Sequence, residues 1–164
     1  MVNLANDTLA GQGMNGATLK SRTPLQNRKL RILLADNSPA VLHRLRQDLE
    51  QLQFVEIVAE SQRSHETLEL FFRTRPEVVV VSICLPEESG FEVLRHVKRA
   101  AADCAVILTS RWLDSFVHQT ARLLGAAGVC STTDGCTQLR AMLQSLIEQP
   151  APPETPRSVN RYFK

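Results

Sequence analysis

Residues 78–81 are four consecutive valines, and this short apolar run limits the fold of the chain more than any other feature. Such a run predicts a strand buried on both faces, as in the middle of a parallel sheet. Pro86 ends the strand, and a helix opens at Gly90. Because open α/β sheets bind ligands at the carboxyl ends of their strands, Ser82 at the end of this strand is a candidate site residue.

Four further strand segments accompany the valine run, and a segment with apolar residues at helical spacing follows each strand. The strands are predicted at residues 30–35, 54–59, 78–82, 105–110 and 127–131. Five strand–helix units predict a doubly wound α/β fold, with a five-stranded parallel sheet in the flavodoxin-like order 2-1-3-4-5. In that order the first and third strands are neighbours, so Asp36, Asn37 and Ser82 meet at one edge of the sheet.

The composition changes at both ends of the chain. Residues 1–28 predict a disordered basic extension, residues 29–149 the folded domain, and residues 150–164 a Pro-rich disordered tail. The first 31 residues carry five basic side chains and one acidic side chain. Nucleic-acid binding through these ends is an alternative function. We do not expect it, because the charges are few and no aromatic residue lies among them before Tyr162.

The sequence contains no stretch near the roughly 18 apolar residues of a membrane span, and its N-terminus has no signal-like pattern. We therefore expect a cytoplasmic protein without a membrane partner. Its four cysteines form no CxxC pair, which predicts reduced and mostly buried thiols. Cys130 and Cys136 would be a redox pair only if the fold brings them together. The four histidines have no metal-ligand spacing, so no metal site is predicted.

Four motifs follow one another along the chain. They are residues 32–39 (ILLADNSP), the turn from Ser82 to Pro86 with residues 90–94 (GFEVL), the pair Thr109-Ser110, and residues 125–128 (GAAG). Each motif alone is weak. Together, in order and at family spacing, they resemble the CheY-like receiver domain of response regulators over roughly residues 29–148.

The resemblance implies a pocket in which an aspartate at the end of the third strand takes a phosphoryl group from a phosphohistidine. In that family, two acidic residues after the first strand hold Mg²⁺, a hydroxyl residue ends the fourth strand, and a lysine ends the fifth. Asp36 and Thr109 match this pattern. Asn37, Ser82 and Thr132 stand where the second acidic residue, the phospho-accepting aspartate and the lysine are expected.

These departures predict a degenerate form, a pseudo-receiver with a vestigial pocket, no catalytic residue and no cofactor. One carboxylate among neutral oxygens is a poor Mg²⁺ site, although weak Mg²⁺ binding at Asp36 stays open. Ser82 is a weak nucleophile, and no residue in the pattern replaces the lysine charge. We expect Asp36 to bond to Ser82 and backbone N–H groups, and Thr109 to hydrogen-bond locally. A phosphoserine at Ser82, or a small anion held by Thr109 and strand-end amides, is the alternative.

Trp112 and Phe116 follow the fourth strand, and Val129 occupies the position that the family gives to a switch aromatic. In the resembled family, the surface of the fourth helix, fifth strand and fifth helix contacts partners. We therefore expect a stand-alone, non-enzymatic receiver-like protein that acts in phosphorelay signalling by phosphorylation-independent protein–protein interaction. The expected partner is a histidine kinase, another regulator or a second copy of the chain. For Trp112 itself we favour a side chain packed into the domain, with an exposed Trp112 on this surface as the alternative.

Overall fold

The computed structural model describes residues 28–134 and 136–149 of the 164-residue chain. In this part five strands and five helices alternate: β1 (Leu30–Ala35), α1 (Pro39–Glu50), β2 (Val55–Ser61), α2 (Ser64–Thr74), β3 (Val78–Ser82), α3 (Gly90–Ala100), β4 (Ala105–Ser110), α4 (Ser115–Leu123), β5 (Gly128–Ser131) and α5 (Thr137–Glu148). All strand pairs are parallel, and the order is β2-β1-β3-β4-β5. The predicted fold class and strand order are confirmed.

The predicted extension at 1–28 and tail at 150–164 lie outside the described residues, except for Arg28. The guanidinium group of Arg28 forms an ion pair with Glu77, just before β3. The backbone N–H of Arg31 donates to the same carboxylate at 3.2 Å. Arg28 therefore contacts the folded domain, one residue earlier than the sequence predicts.

The valine run forms the centre of the sheet and is buried on both faces, because helices cover both sides. Val79 and Val81 belong to one core cluster, with residues of α2, α3 and α4. Val78 and Val80 belong to a second cluster, with residues of α1 and α5. All four side chains are at most 1% exposed. Full burial of such a side chain contributes roughly 1.5–3 kcal/mol, so this one strand anchors both halves of the core.

Two helices near the candidate site begin with side-chain caps. The Oγ of Ser38 accepts the N–H of Val41 at 3.4 Å, and Pro39 is the first residue of α1. A carboxylate oxygen of Asp114 accepts the N–H of Val117 at 2.8 Å at the start of α4. A cap satisfies an N–H group that the first helical turn leaves free, and Pro lacks one there. These caps fix where α1 and α4 begin at the carboxyl edge of the sheet.

The strand bounds agree with the sequence pattern to within one residue except at the end of β2, which runs to Ser61 rather than to residue 59. A register shift between Ile32 and Leu33 keeps β1 paired with β2 along this extra length. The helices are 9 to 12 residues long. Within the described ranges, none of them has the length and apolar character needed to cross a membrane.

Candidate functional site

Three buried polar residues form a row at the carboxyl edge of the sheet. Ser82 is paired in register with Thr109 of β4, and the pairing of β1 with β3 places Asp36, directly after β1, next to Ser82. Side chains alternate along a strand, so this row faces the same side of the sheet as Val80, toward α1 and α5. Asp36, Ser82 and Thr109 are 4%, 6% and 1% exposed.

A cavity of about 320 Å³ opens above this row. The residues that line it and bear on its chemistry are Asp36, Asn37, Ser82, Arg111, Trp112 and Thr132. All the predicted pocket positions except Thr109 are therefore brought to one cavity. Thr109 lies beneath its surface, beside Ser82. Asn37 is exposed and faces solvent at the edge of the cavity.

Asp36 is held by local hydrogen bonds. Its Oδ1 accepts the N–H of Ser38 at 2.8 Å, and its carboxyl group is hydrogen-bonded to the hydroxyl of Ser82. Both contacts are of the kind that we expected for this residue. Burial raises the pKa of Asp36 above its ordinary value, and these two hydrogen bonds oppose the rise because they favour the carboxylate.

The two hydroxyl groups of the row differ in their hydrogen bonding. The Oγ of Ser82 also accepts the N–H of Cys84, at 3.3 Å. The hydroxyl of Thr109 has no hydrogen-bond partner among the described residues, although its oxygen is buried. The local hydrogen bond expected for Thr109 is therefore absent there. Leaving a buried hydroxyl without a partner costs roughly 1–3 kcal/mol of folding free energy. Among the described residues of this site, Thr109 is the group that carries this cost.

Two arginines that the sequence pattern did not single out bring positive charge to the cavity. Arg111 directly follows β4 and lines it. Arg44, on α1, donates a hydrogen bond to the carbonyl oxygen of Thr132. Both guanidinium groups favour the carboxylate form of Asp36 and so lower its pKa. Thus the expectation that nothing replaces the lysine charge is corrected, because Arg44 reaches the residue that occupies the lysine position.

The two arginines differ in whether the sequence alone could predict their place at the cavity. Arg111 is the first residue after a strand end, so its place at the carboxyl edge is predictable from the strand boundary alone. Arg44 contacts a residue 88 positions away, and no local pattern shows that contact. Thr132 is itself 9% exposed, and its N–H donates to the carbonyl of Ser110 at 3.1 Å.

The residues of this cavity do not fit Mg²⁺, the ion that the receiver resemblance implies. Asp36 is the only carboxylate that lines the cavity, and Mg²⁺ gives up its water reluctantly. The guanidinium groups of Arg44 and Arg111 repel a divalent cation. In the part of the chain that the structure describes, no three His, Cys, Asp or Glu side chains are grouped to hold a metal ion. The charges favour an anion in this cavity.

An apolar stripe lies on the exposed side of α4 and of the loop before it. Trp112, Phe116 and Leu123 are 80%, 67% and 86% exposed. Phe116 and Leu123 are two helical turns apart and therefore share one side of α4. The packed position that we favoured for Trp112 is therefore wrong. Leu123, which the sequence pattern did not single out, lies on this surface with Trp112 and Phe116. Val129 is 9% exposed and lies in the core cluster with Val117, so the exposed surface is formed without Val129.

Cys130 and Cys136 are both buried in the core cluster beside α1 and α5. Burial raises the pKa of the Cys130 thiol to about 12 and that of the Cys136 thiol to about 11. Because the thiolate is the reactive form, neither group is activated at neutral pH. The fold brings these two cysteines into one cluster without making them reactive.

Comparison with known proteins points to one family. The family model of the response regulator receiver domain matches residues 32–144. Response regulator MprA of Mycobacterium sp. (strain KMS) is 31% identical over 132 residues, which are 79% of this chain and 55% of that protein. A protein-glutamate methylesterase/protein-glutamine glutaminase of Syntrophus aciditrophicus is 25% identical over 100 residues, 61% of this chain and 29% of that protein. The chain thus spans about half, or less, of these relatives.

Solved structures of the same type have the same fold. The signal receiver domain of the response regulator NarL from Mycobacterium tuberculosis superposes with a TM-score of 0.68 at 22% identity, covering 74% of this chain and 99% of that chain. The response regulator domain of Thermotoga maritima CheB superposes with a TM-score of 0.69 at 18% identity, covering 75% and 99%. At these identities the likeness concerns the fold alone.

Proposed function

Because the chain belongs to the response regulator receiver domain family, we propose that it serves two-component signalling as a pseudo-receiver that has lost aspartyl phosphorylation. The observation that carries this proposal is Ser82 at the end of β3, where the resemblance implies an acceptor carboxylate. A carboxylate is a nucleophile at neutral pH, whereas a hydroxyl needs a base. Among the described residues, Asp36 is the only carboxylate beside this hydroxyl in the cavity. Burial raises its pKa, the guanidinium groups partly offset the rise, and a carboxylate is a far weaker base than the alkoxide it would have to form.

Incubation of the full chain with acetyl phosphate and Mg²⁺ is expected to add no phosphoryl group. The reason is that both the acceptor carboxylate and a fitting metal site are missing from the cavity. Intact-mass spectrometry checks this result, with a receiver that retains its acceptor aspartate treated in parallel as the positive control. A phosphoryl adduct that peptide mapping places at Asp36 or Ser82 would contradict the proposal.

The function of such a domain then rests on binding, and the apolar stripe of Trp112, Phe116 and Leu123 is the surface we assign to it. Arg111 at one end and Arg122 in the last turn of α4 give this stripe a basic rim. Two copies related by a twofold axis would bring these like charges together, which opposes pairing. The occupant is therefore a different signalling protein, such as a histidine kinase or another regulator, that presents apolar and acidic side chains.

Replacing Trp112 and Phe116 together by serine is expected to weaken partner binding by at least about tenfold, because exposed aromatic anchors dominate such interfaces. The matched control is Phe72→Ser, which removes an exposed aromatic side chain from α2 instead. The partner is first captured from the native host and purified. Isothermal titration calorimetry then compares its affinity for the wild type and for the two variants.

Two outcomes would count against this assignment. Equal affinity for the wild type and the Trp112/Phe116 variant would remove the stripe from the interface. Sedimentation that shows a wild-type dimer, with the same variant monomeric, would make a second copy of the chain the occupant and contradict the basic-rim argument.

A further inference from the structure

A groove of about 430 Å³ lies between α2 and α3, on the face of the sheet opposite to α1 and α5. None of the residues that line it belongs to the four motifs of the receiver resemblance. Phe72, which is 39% exposed, forms its apolar part together with Leu68 and Ala100. The polar residues that line it are His65, Glu69, Glu88, His96 and Arg99.

One carboxylate oxygen in this groove lacks a hydrogen bond. The Oε2 of Glu88 is buried and forms none within the described part of the chain. The Nε2 of His96 lies 3.6 Å away, which is beyond hydrogen-bond distance. Among the described residues that line the groove, Glu69 adds a second carboxylate and Arg99 is the only guanidinium group. Carboxylates favour cationic donors, so the groove favours an apolar occupant that carries positive charge.

The chain enters the described domain near one end of this groove. Arg28 forms an ion pair with Glu77, and the guanidinium group of Arg31 donates to the carbonyl of Arg75 at 3.2 Å. Arg75 directly follows α2. Phe72 is five residues before Glu77, so at most about 18 Å of backbone separates the ion pair from the apolar end of the groove.

We propose that residues 17–25 of the same chain (ATLKSRTPL) occupy the groove between α2 and α3. Leu19 and Leu25 are apolar, Lys20 and Arg22 are basic, and no residue of this segment is acidic. The segment thus has both properties that the groove favours. The inference goes beyond the proposed function and does not depend on it, because the surface assigned there lies on α4.

Length and residue order decide how the segment lies. The nine residues from Leu19 to Arg28 span up to about 30 Å, against about 18 Å to reach the groove and about 10 Å along α2 within it. Leu25, which is close to Arg28, then contacts the apolar end of the groove. Arg22 lies against Glu69, one helical turn further along α2, and the remaining basic side chain reaches the buried carboxylate oxygen.

Hydrogen–deuterium exchange of the full chain, measured by mass spectrometry, tests this docking. The amides of residues 17–25 are expected to exchange at least about tenfold more slowly than in a synthetic peptide of the same sequence. Arg22→Glu and Glu69→Arg should each lower this protection at least about threefold, because each places like charges together. The double variant Arg22→Glu/Glu69→Arg restores opposite charges, and its protection should return to within about twofold of the wild type. The matched control Glu66→Arg changes an exposed residue of α2 outside the groove and should keep the wild-type protection.

Carbodiimide cross-linking distinguishes the chain's own segment from a second copy of the chain. In an equal mixture of ¹⁴N- and ¹⁵N-labelled full chain, cross-links from Lys20 to Glu69 or Glu88 are expected within single chains. Cross-links that join the two labels would make a second copy the occupant and overturn the proposal. Exchange of residues 17–25 at the rate of the free peptide would leave the groove to a different protein, and would overturn it too. A charge swap that restores no protection would have the same consequence.

Discussion

Replacing Gly90 by alanine is expected to lower the free energy of unfolding by about 3 kcal/mol or more. A Cβ atom at this position would lie 2.2 Å from the carbonyl oxygen of Ser82 and 2.9 Å from the Cα of Ile83. Both contacts are with backbone, so no flexible side chain can move aside to relieve them. Urea unfolding followed by circular dichroism measures the loss.

The matched control is Gly125→Ala, at the end of α4. Gly125 has a φ of +83°, but the nearest atom to an added Cβ is the Cε of Lys98, at an ordinary 3.9 Å. This variant is expected to lose only about 1 kcal/mol, the cost of a left-handed conformation for a residue with a side chain. Equal losses in the two variants would contradict the close packing of Gly90 against β3.

The Gly90 contact matters for the site because it fixes the chain where β3 ends. Gly90 donates its N–H to the carbonyl of Ile83 at 3.1 Å, and its lack of a side chain lets α3 begin directly against Ser82. The side chain of Ser82 then points into the cavity while its carbonyl packs under the helix. The glycine of the GFEVL motif is thus required by packing, whether or not the cavity retains any phosphoryl chemistry.

Most of the fold follows from patterns that are local in the sequence. Four valines in a row require burial on both sides, and the strand–helix alternation around them leaves few other topologies. The ends of the strands are also marked by nearby residues in the sequence. The sequence alone therefore predicts that Asp36, Ser82 and Thr109 meet at one edge of the sheet. The end of β2 was missed because Glu60 and Ser61 carry no apolar signal, although they pair with β1.

The properties of the site that depend on long-range contacts could not be predicted in this way. Arg44 lies on the exposed side of an amphipathic helix, where a charged residue is ordinary, and only the folded chain brings it to Thr132. Whether the hydroxyl of Thr109 finds a partner among the described residues depends on the folded chain, and no local pattern shows that it finds none. Trp112 could equally pack or protrude, because a single tryptophan in a loop has no periodicity to decide its direction.

Introducing the two carboxylates that the receiver resemblance implies gives the sharpest test of the proposed pseudo-receiver pocket. The variant Asn37→Asp/Ser82→Asp is expected to unfold about 2 kcal/mol more easily than the wild type in the absence of metal. Position 82 is 6% exposed and adjoins Asp36, so the new carboxylate is buried beside a like charge. Mg²⁺ at about ten times its Kd should return roughly 1.4 kcal/mol, because only the folded state binds it. Thermal unfolding with and without Mg²⁺ measures both effects.

The neutral variant Ser82→Asn separates charge from volume, since asparagine has nearly the size of aspartate. Mg²⁺ should not raise the thermal stability of the Ser82→Asn variant. It should not stabilise the wild type either, in which Arg44 and Arg111 act on a single carboxylate, that of Asp36. A wild type that Mg²⁺ stabilises as much as the double variant would show that the metal site was never lost. A double variant that Mg²⁺ leaves unchanged would show that the three carboxylates do not restore a metal site beside the two arginines.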